Sequence, residues 1–390
     1  MPSPPSPWLR DVHPGRVKGN SHLPNSARVV VIGGGLMGVA TTYWLARRGI
    51  DAVLVEKQFL SWGASGRNAG LMLANSSVLE SPELLKAVLD EEKIDCTYQQ
   101  TGHLALAATP SVWEYFCKEV ETRPASLPRL SLLDRQSCEE LMCMRIDRQF
   151  IGGRWYAAGC VVHPCKLVYG LAEAARRHGA QVSIGTTALS IVRQEGKRPL
   201  AVATSRGTLQ ADHVVLACSS AVAQFLPHYS RVITPIRGQV LATEPMEPHF
   251  RFALGVDFGT VYWRQISDGR VILGGYRNLG GVAEQTRHQR TNPKIQSALE
   301  AFLPRSFPDL GPIRVSQRWA GIMDCTPDSR PIIGRDPHFD SCWIIAGFGG
   351  HGMPSGLGAA RALVEVIEGD QSPDRLQHYR PGRFELSTRN

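Results

Sequence analysis

Arg28-Val29-Val30-Val31-Ile32-Gly33-Gly34-Gly35-Leu36-Met37-Gly38-Val39 is the stretch whose reading decides the fold. Val29 to Ile32 is a short apolar run of β-branched residues, the pattern of a strand buried on both faces. Val39 to Arg48 reads as a helix, ended by Gly49 just past its last turn. Ala52-Val53-Leu54-Val55 is a second buried strand that ends at Glu56. This is a βαβ unit with its glycines where a dinucleotide needs them. Gly33 permits the tight turn, Gly35 lets the backbone approach a pyrophosphate, and Gly38 lets helix and strand pack closely. Leu36 and Met37 open the helix, whose unpaired N–H groups and dipole favour a phosphate. Glu56 is placed to accept hydrogen bonds from a ribose diol, and its charge repels a 2′-phosphate.

The same spacing recurs near the other end. Gly347-Phe348-Gly349-Gly350-His351-Gly352 follows an apolar strand, Cys342–Ala346, and precedes a helix over Met353–Glu368. No apolar strand follows that helix, so this turn cannot begin a second complete dinucleotide fold. A glycine-lined helix start can instead direct positive dipole at an anionic group. A reduced flavin carries negative charge at N1–C2=O, which favours FAD over NAD.

Between these ends the chain alternates. A helix is expected over 167–178, with strands near 182–184, 188–193, 201–205 and 214–217. Residues 81–149 read as mostly helical, broken by Leu104–Ala107, and 235–313 as strand-like segments at 239–243, 261–266 and 271–274. The expected architecture is α/β: a Rossmann-type, glutathione-reductase-like FAD-binding domain interrupted by a second α+β substrate domain with a mainly antiparallel sheet. The domains are drawn at 27–85, 150–230 and 315–390 for the first and 86–149 and 231–314 for the second. Residues 1–26, rich in Pro and Ser without an apolar h-region, read as a disordered extension.

At 390 residues, 43% hydrophobic and 20% charged, the chain can bury a large core without disulfides. No run is long enough for a membrane-spanning helix. The charge of +8 is scattered, with no lysine- and arginine-rich cluster, which argues against nucleic acid. Nine cysteines, no CxxC and no signal peptide point to free thiols in a reducing, cytoplasmic setting. Cys160, His163 and Cys165 lack a second half-site, so no metal is expected.

Ser65-Gly66-Arg67-Asn68-Ala69-Gly70 resembles the flavin-loop motif of the glycine oxidase, sarcosine oxidase and D-amino-acid dehydrogenase family. Ala320-Gly321 with Thr326-Pro327-Asp328-Ser329-Arg330-Pro331-Ile332-Ile333-Gly334 is similar to its C-terminal segment, and Ala346-Gly347-Phe348-Gly349-Gly350-His351-Gly352-Met353 to its last glycine turn. The resemblance implies an FAD-dependent oxidoreductase acting on an amine or amino acid. Hydride goes to flavin N5, the imine is then hydrolysed, and O2 is the acceptor, giving H2O2. The cofactor residues it implies are Gly33, Gly35, Leu36, Met37, Gly38, Glu56, Lys57, Ser65, Arg67, Asn68, Ala69, Gly70, Ala188, Gly321, Gly349, Gly350, His351, Gly352 and Met353. Arg67 and Asn68 are expected at the flavin's polar edge.

The departures from the family are informative. Its attachment cysteine falls on Gly321 and its attachment histidine on Arg67, so FAD is expected to be non-covalent. The carboxylate-binding cations of relatives fall on Met323 and Pro354. The replacement expected is Arg264, two residues from Tyr262 in a strand and so on the same side. Tyr262, Arg264 and His351 are therefore the expected catalytic residues. Ile272 stands where sarcosine oxidases carry an oxygen-activating lysine. That leaves open a dehydrogenase passing electrons to a quinone or partner protein, or a non-catalytic FAD-binding subunit.

Overall fold

The structure is a computed structural model that describes residues 6–12, 22–73, 79, 81–125, 127–194, 199–369 and 374–384. Its first sheet has eight strands. Ser26–Ile32 lies between Ala52–Glu56 and Gly207–Leu216, parallel to both. Gln181–Ile184 extends the parallel set on one side and Cys342–Ala346 on the other. Ile332–Arg335 closes that edge antiparallel, while Leu200–Thr204 and Ala188–Arg193 turn back from Gly207–Leu216.

The apolar run of the first strand is buried on both sides, as its composition demands. Val29 and Val31 join the core under the helices Leu36–Arg47, Pro164–Arg177 and Gly352–Ile367. Val30 and Ile32 join a second core with Val202, Leu209 and Tyr229. Burying both faces is what allows unbroken β-branched runs in this sheet.

The second sheet also has eight strands, in the order Val315–Cys325, Thr234–Thr243, Val271–Gly275, Val261–Gln265, Ala253–Val256, His103–Ala107, Gly152–Tyr156 and Leu130–Asp134. Every pairing is antiparallel except that of Ala253–Val256 with His103–Ala107. One face packs Leu241, Trp263 and Leu273 against the helix Pro293–Ser306. The other face sends Val240, Ala242, Ile272 and Trp319 into the core beneath the first domain's helices. The two sheets thus share one core, and the candidate site lies along that shared boundary.

The expected domain boundaries at 150 and 315 need correction. Gly152–Tyr156 and Val315–Cys325 pair in the second sheet, not the first. Gly152 and Gly153 hid the former, since glycines in a strand look like a turn. A Cβ at Gly152 would lie 2.6 Å from Leu133 O, so the close approach requires glycine.

The disordered reading of 1–26 also needs correction where the structure describes that segment. Pro7–Asp11 is a helix capped by Ser6, and Ser26 already belongs to the first strand. Trp8, Leu9 and Val12 are 2%, 6% and 2% exposed. Proline at the first helical position starts a helix, and these three apolar residues share one face of it. Residues 1–5 and 13–21 lie outside the described residues. Among the described residues no helix is long and apolar enough to cross a membrane, and the nine cysteines are free thiols.

Candidate active site

The first glycine turn begins where Gly33 N–H donates to Val55 O at 2.9 Å. Gly33 has φ +119°, and a Cβ there would lie 2.5 Å from Ala217 O. A Cβ at Gly38 would collide with Gly33 O. Gly35 is different. It caps the helix in an ordinary extended conformation, and its Cβ would meet only Ser65 Oγ, at 3.1 Å. An added Cβ at Gly35 is thus crowded by the Ser65 hydroxyl alone, which would have to shift by a few tenths of an ångström, and the space around it is otherwise open among the described residues.

That space has phosphate chemistry. Leu36 N–H donates to Ser65 Oγ at 2.9 Å, which puts a hydroxyl oxygen at the positive end of the helix. Glu56 accepts from Gly34 N–H at 2.7 Å and from Gln58 N–H at 2.8 Å, leaving other lone pairs free. Thr186 N–H donates to Glu56 O at 2.8 Å and brings the segment leading to Ala188 beside this strand end. Lys57 is exposed. Met37 is packed toward Gly352 and Gly356 of the C-terminal helix, joining the two glycine turns.

The flavin-loop segment runs through a short 3-10 turn, Ala64–Gly66. Arg67 is 2% exposed and, among the described residues, has no acidic hydrogen-bond partner. Its guanidinium donates to Trp62 O at 3.1 Å and Ala320 O at 3.2 Å and lies 5.0 Å from the Trp62 ring. Burial pushes its pKa down, as for any cation held without a counter-charge. Such a cation suits an anionic ligand edge.

Asn68 binds within its own loop. Its Nδ2 donates to Ala64 O at 3.0 Å and Ser65 O at 2.9 Å, and its Oδ1 accepts from Gly70 N–H at 2.7 Å. The side chain is committed to shaping the loop. Ala69 is buried and Gly70 takes φ +71°, a conformation suited to glycine.

At the second glycine turn, Gly347, Gly349 and Gly350 all have positive φ. Asp324 holds it: Gly347 N–H donates to the carboxylate at 2.6 Å and Gly349 N–H to Asp324 O at 2.8 Å. Burial pushes the Asp324 carboxyl above its ordinary pKa, opposed by the Gly347 hydrogen bond. His351 caps the helix Gly352–Ile367 with its ring exposed, and Met353 is buried in the first turn. Sequence reasoning missed Asp324. The signal was there, since it is the only acid between Trp319 and Thr326.

Gly321 faces Arg67, whose Cβ would be 3.0 Å from an added side chain. Gly238 pairs with Gly321 across the second sheet. Met323 lies against both Gly238 and Gly350, within 3.2 Å of a Cβ at either. Glycines of both domains thus line one region, with Met323 where a cation was absent from the sequence pattern.

Tyr262 and Arg264 share the sheet face turned to the first domain. Tyr262 pairs with Gly255 and Gly274. Its hydroxyl would be 2.6 Å from a Cβ at Gly274, so the missing side chain makes room for the phenol ring. Burial pushes the Tyr262 phenol up. Arg264 is 5% exposed, and burial lowers its pKa to about 10. Its Nη2 donates to Val162 O at 2.9 Å, its guanidinium lies 5.1 Å from the Trp8 ring, and its Nε has no partner among the described residues. Ile272, fully buried, pairs with Arg264. Of the other arginines near this sheet, Arg237 is held by Glu284 at 2.7 Å, whereas Arg277 is exposed.

His103 was not anticipated. It stands on the same face, separated from Arg264 only by Ala253. Burial, with the Arg154 charge, lowers its pKa to about 3, so the ring is neutral.

The sequence profile of a family described as "DAO: FAD dependent oxidoreductase" matches residues 28–366. "Probable oxidoreductase OrdL" of Rhizobium meliloti (strain 1021) is 28% identical, over 93% of this chain and 88% of its own. "Sarcosine oxidase subunit beta" of Arthrobacter sp is 27% identical, over 95% of this chain and 96% of its own. Among solved structures, L-proline dehydrogenase from P. horikoshii superposes with a TM-score of 0.83 at 23% identity, covering 93% of this chain and 99% of that one. The matched span holds both glycine turns, the flavin loop and the second sheet.

Proposed function

Because the chain belongs to the FAD dependent oxidoreductase family, we propose that it oxidises a C–N bond in an amino acid or a related amine carrying a carboxylate. FAD, when bound, supplies the two-electron acceptor for hydride. The observation that carries the substrate reading is Arg264, a cation 5% exposed beside Tyr262 whose hydrogen-bond partner among the described residues is one carbonyl, with Nε unpartnered and no counter-charge. A buried cation without a counter-charge is costly, and a substrate carboxylate offsets that cost.

In this reading Ser65, Leu36 and Glu56 would hold the dinucleotide's phosphates and ribose. Arg67 and the helix start at Gly350–Gly352 would supply positive potential to the flavin's anionic edge, with His351 at the mouth of that turn. Tyr262 forms an apolar wall that excludes water and orients the carbon to be oxidised. The substrate amine must enter neutral, since hydride leaves a carbon beside nitrogen only with help from that lone pair. Gly321 and Arg67, at the two positions where the family resemblance implies flavin attachment, have neither a thiol nor an imidazole to form that bond. FAD is therefore non-covalent.

The test is Arg264→Leu, assayed on a panel of glycine, sarcosine, proline, D-amino acids and N-substituted amino acids, each with its decarboxylated analogue. The expected loss in kcat/KM is ~10²-fold on the best acid, from a charge-assisted bond of roughly 1.5–3 kcal/mol and a partly desolvated anion. FAD content should stay at the parent's level. Equal losses on acid and analogue would move the anchor elsewhere, with Arg277 next. O2 is the acceptor the family resemblance favours. The buried apolar Ile272 beside Arg264 supports a second reading, a dehydrogenase using a quinone or partner protein. Reoxidation in air within one turnover time supports the oxidase, and flavin that stays reduced in air supports the dehydrogenase.

A further inference from the structure

The N-terminal helix Pro7–Asp11 is bound where a tail would have no reason to be. Trp8 Nε1–H donates to Asn68 O at 2.6 Å. Ser6, which caps the helix, also donates its hydroxyl to Gly66 O. Leu9 lies over Gly66, where an added Cβ would be 2.9 Å from its Cδ2. Trp319 Nε1–H, from the second sheet, donates to Arg67 O at 3.0 Å. Three consecutive carbonyls of the flavin loop, those of residues 66, 67 and 68, therefore each accept from a distant part of the chain. Two of the three donors belong to this one short helix.

The rest of the loop is held from within. Asn68 ties Ala64, Ser65 and Gly70 together, and the Trp8 indole sets the position of Asn68 itself. The indole also packs edge-on to His163 at 5.0 Å and lies under the Arg264 guanidinium. His163 is in turn 3.4 Å from Asp11, so the helix is attached at both ends. Trp8 is the point where the flavin loop, the start of the helix Pro164–Arg177 and the second sheet meet.

We infer that the N-terminal helix is a clamp on the flavin loop, and that Trp8 is a positioning residue on which FAD affinity depends. A loop pre-set by these donors presents Ser65 and Arg67 to the ligand without further ordering. An undocked loop must be ordered at the moment of binding, and that cost appears in Kd. The inference uses the family's FAD dependence and none of the proposed substrate chemistry.

The experiment strips FAD from the purified full chain and titrates FAD back onto parent, Trp8→Ala, Trp8→Phe and Ser6→Ala apoproteins, recording each apoprotein's thermal midpoint. Trp8→Ala is expected to raise the Kd for FAD by ten-fold or more. Trp8→Phe keeps a ring against Arg264 and His163 but loses the donor to Asn68 O, and Ser6→Ala loses the hydroxyl to Gly66 O. Each of these should raise Kd by a few-fold with the apoprotein's midpoint near the parent's. Should Trp8→Ala fail to fold, those two variants decide. If the variants lower the apoprotein's midpoint but bind FAD with the parent's Kd, the helix only fills space and the inference is wrong. Substrate turnover does not enter the measurement, so it stands or falls apart from the proposed amine oxidation.

Discussion

The two glycine turns share one spacing and differ in what surrounds them. At Gly33–Gly38 the strand, turn, helix and second strand are all present, and Glu56 closes the unit by accepting from Gly34 N–H. At Gly347–Gly352 no second strand follows among the described residues, and the turn is held instead by Asp324, from the strand Val315–Cys325 of the other sheet. The first turn leaves donors at a helix start with one hydroxyl on them. The second has already given two amides to Asp324. The lesson is that a glycine spacing acquires its meaning from its neighbours: a complete βαβ unit has the parts a dinucleotide needs, whereas the isolated turn offers a helix dipole.

The sharpest way to break this comparison lies within the first turn. Gly38→Leu should abolish cooperative folding or lower stability by more than ~3 kcal/mol, because its Cβ collides with Gly33 O. Circular dichroism during heating reads it. Gly35→Leu should cost the fold far less, since an added Cβ there meets only the Ser65 hydroxyl, and should bind FAD at least ~100-fold more weakly. Unaltered FAD affinity in a folded Gly35→Leu would remove the pyrophosphate from this turn.

Glu56→Ala is expected to have a smaller effect. It removes the ribose acceptor and the partner of Gly34 N–H, weakening FAD by roughly 1–3 kcal/mol in a titration of the apoprotein.

The smallest effect concerns the second turn and depends on pH. The folded pKa of Asp324 is raised by burial, so the folded state holds its proton longer than the unfolded chain. Stability from this group is complete below the ordinary carboxylate pKa and is lost as pH rises through the raised one. Asp324→Asn keeps an oxygen for Gly347 N–H and has no charge to bury. Urea unfolding of the apoproteins should show the variant gaining on the parent as pH rises above the ordinary carboxylate range. A gap that stays constant with pH would mean that Asp324 carries no buried charge.

What the sequence made legible follows the range of the interactions involved. The first βαβ unit is local, and its apolar runs and glycines could be read in order. The strands Cys342–Ala346 and Ala188–Arg193 were bounded as observed. The second sheet is assembled from distant segments, and its least regular strands, Gly152–Tyr156, Leu130–Asp134 and Ala253–Val256, were not read. The pairing of Tyr262 with Arg264 on one face needed only the two-residue period of a strand. The partners of Arg264 did not follow from that period, because Trp8 and Val162 reach it from elsewhere in the chain. Trp8 itself was hidden by composition, since prolines and serines around it suggested a tail. The bonds of the Asn68 side chain to Ala64, Ser65 and Gly70 did not follow from the motif, because a motif gives a residue's position and not the direction of its amide.

The most direct measurement of the central claim is the visible spectrum of the purified protein as candidate substrates are added without O2. The account predicts a flavin spectrum that bleaches with an amino acid or carboxylate-bearing amine, and FAD released into the supernatant on acid precipitation. A flavin that no amine or amino acid in the panel reduces, although dithionite does, would contradict it and leave a protein that binds FAD without oxidising a C–N bond.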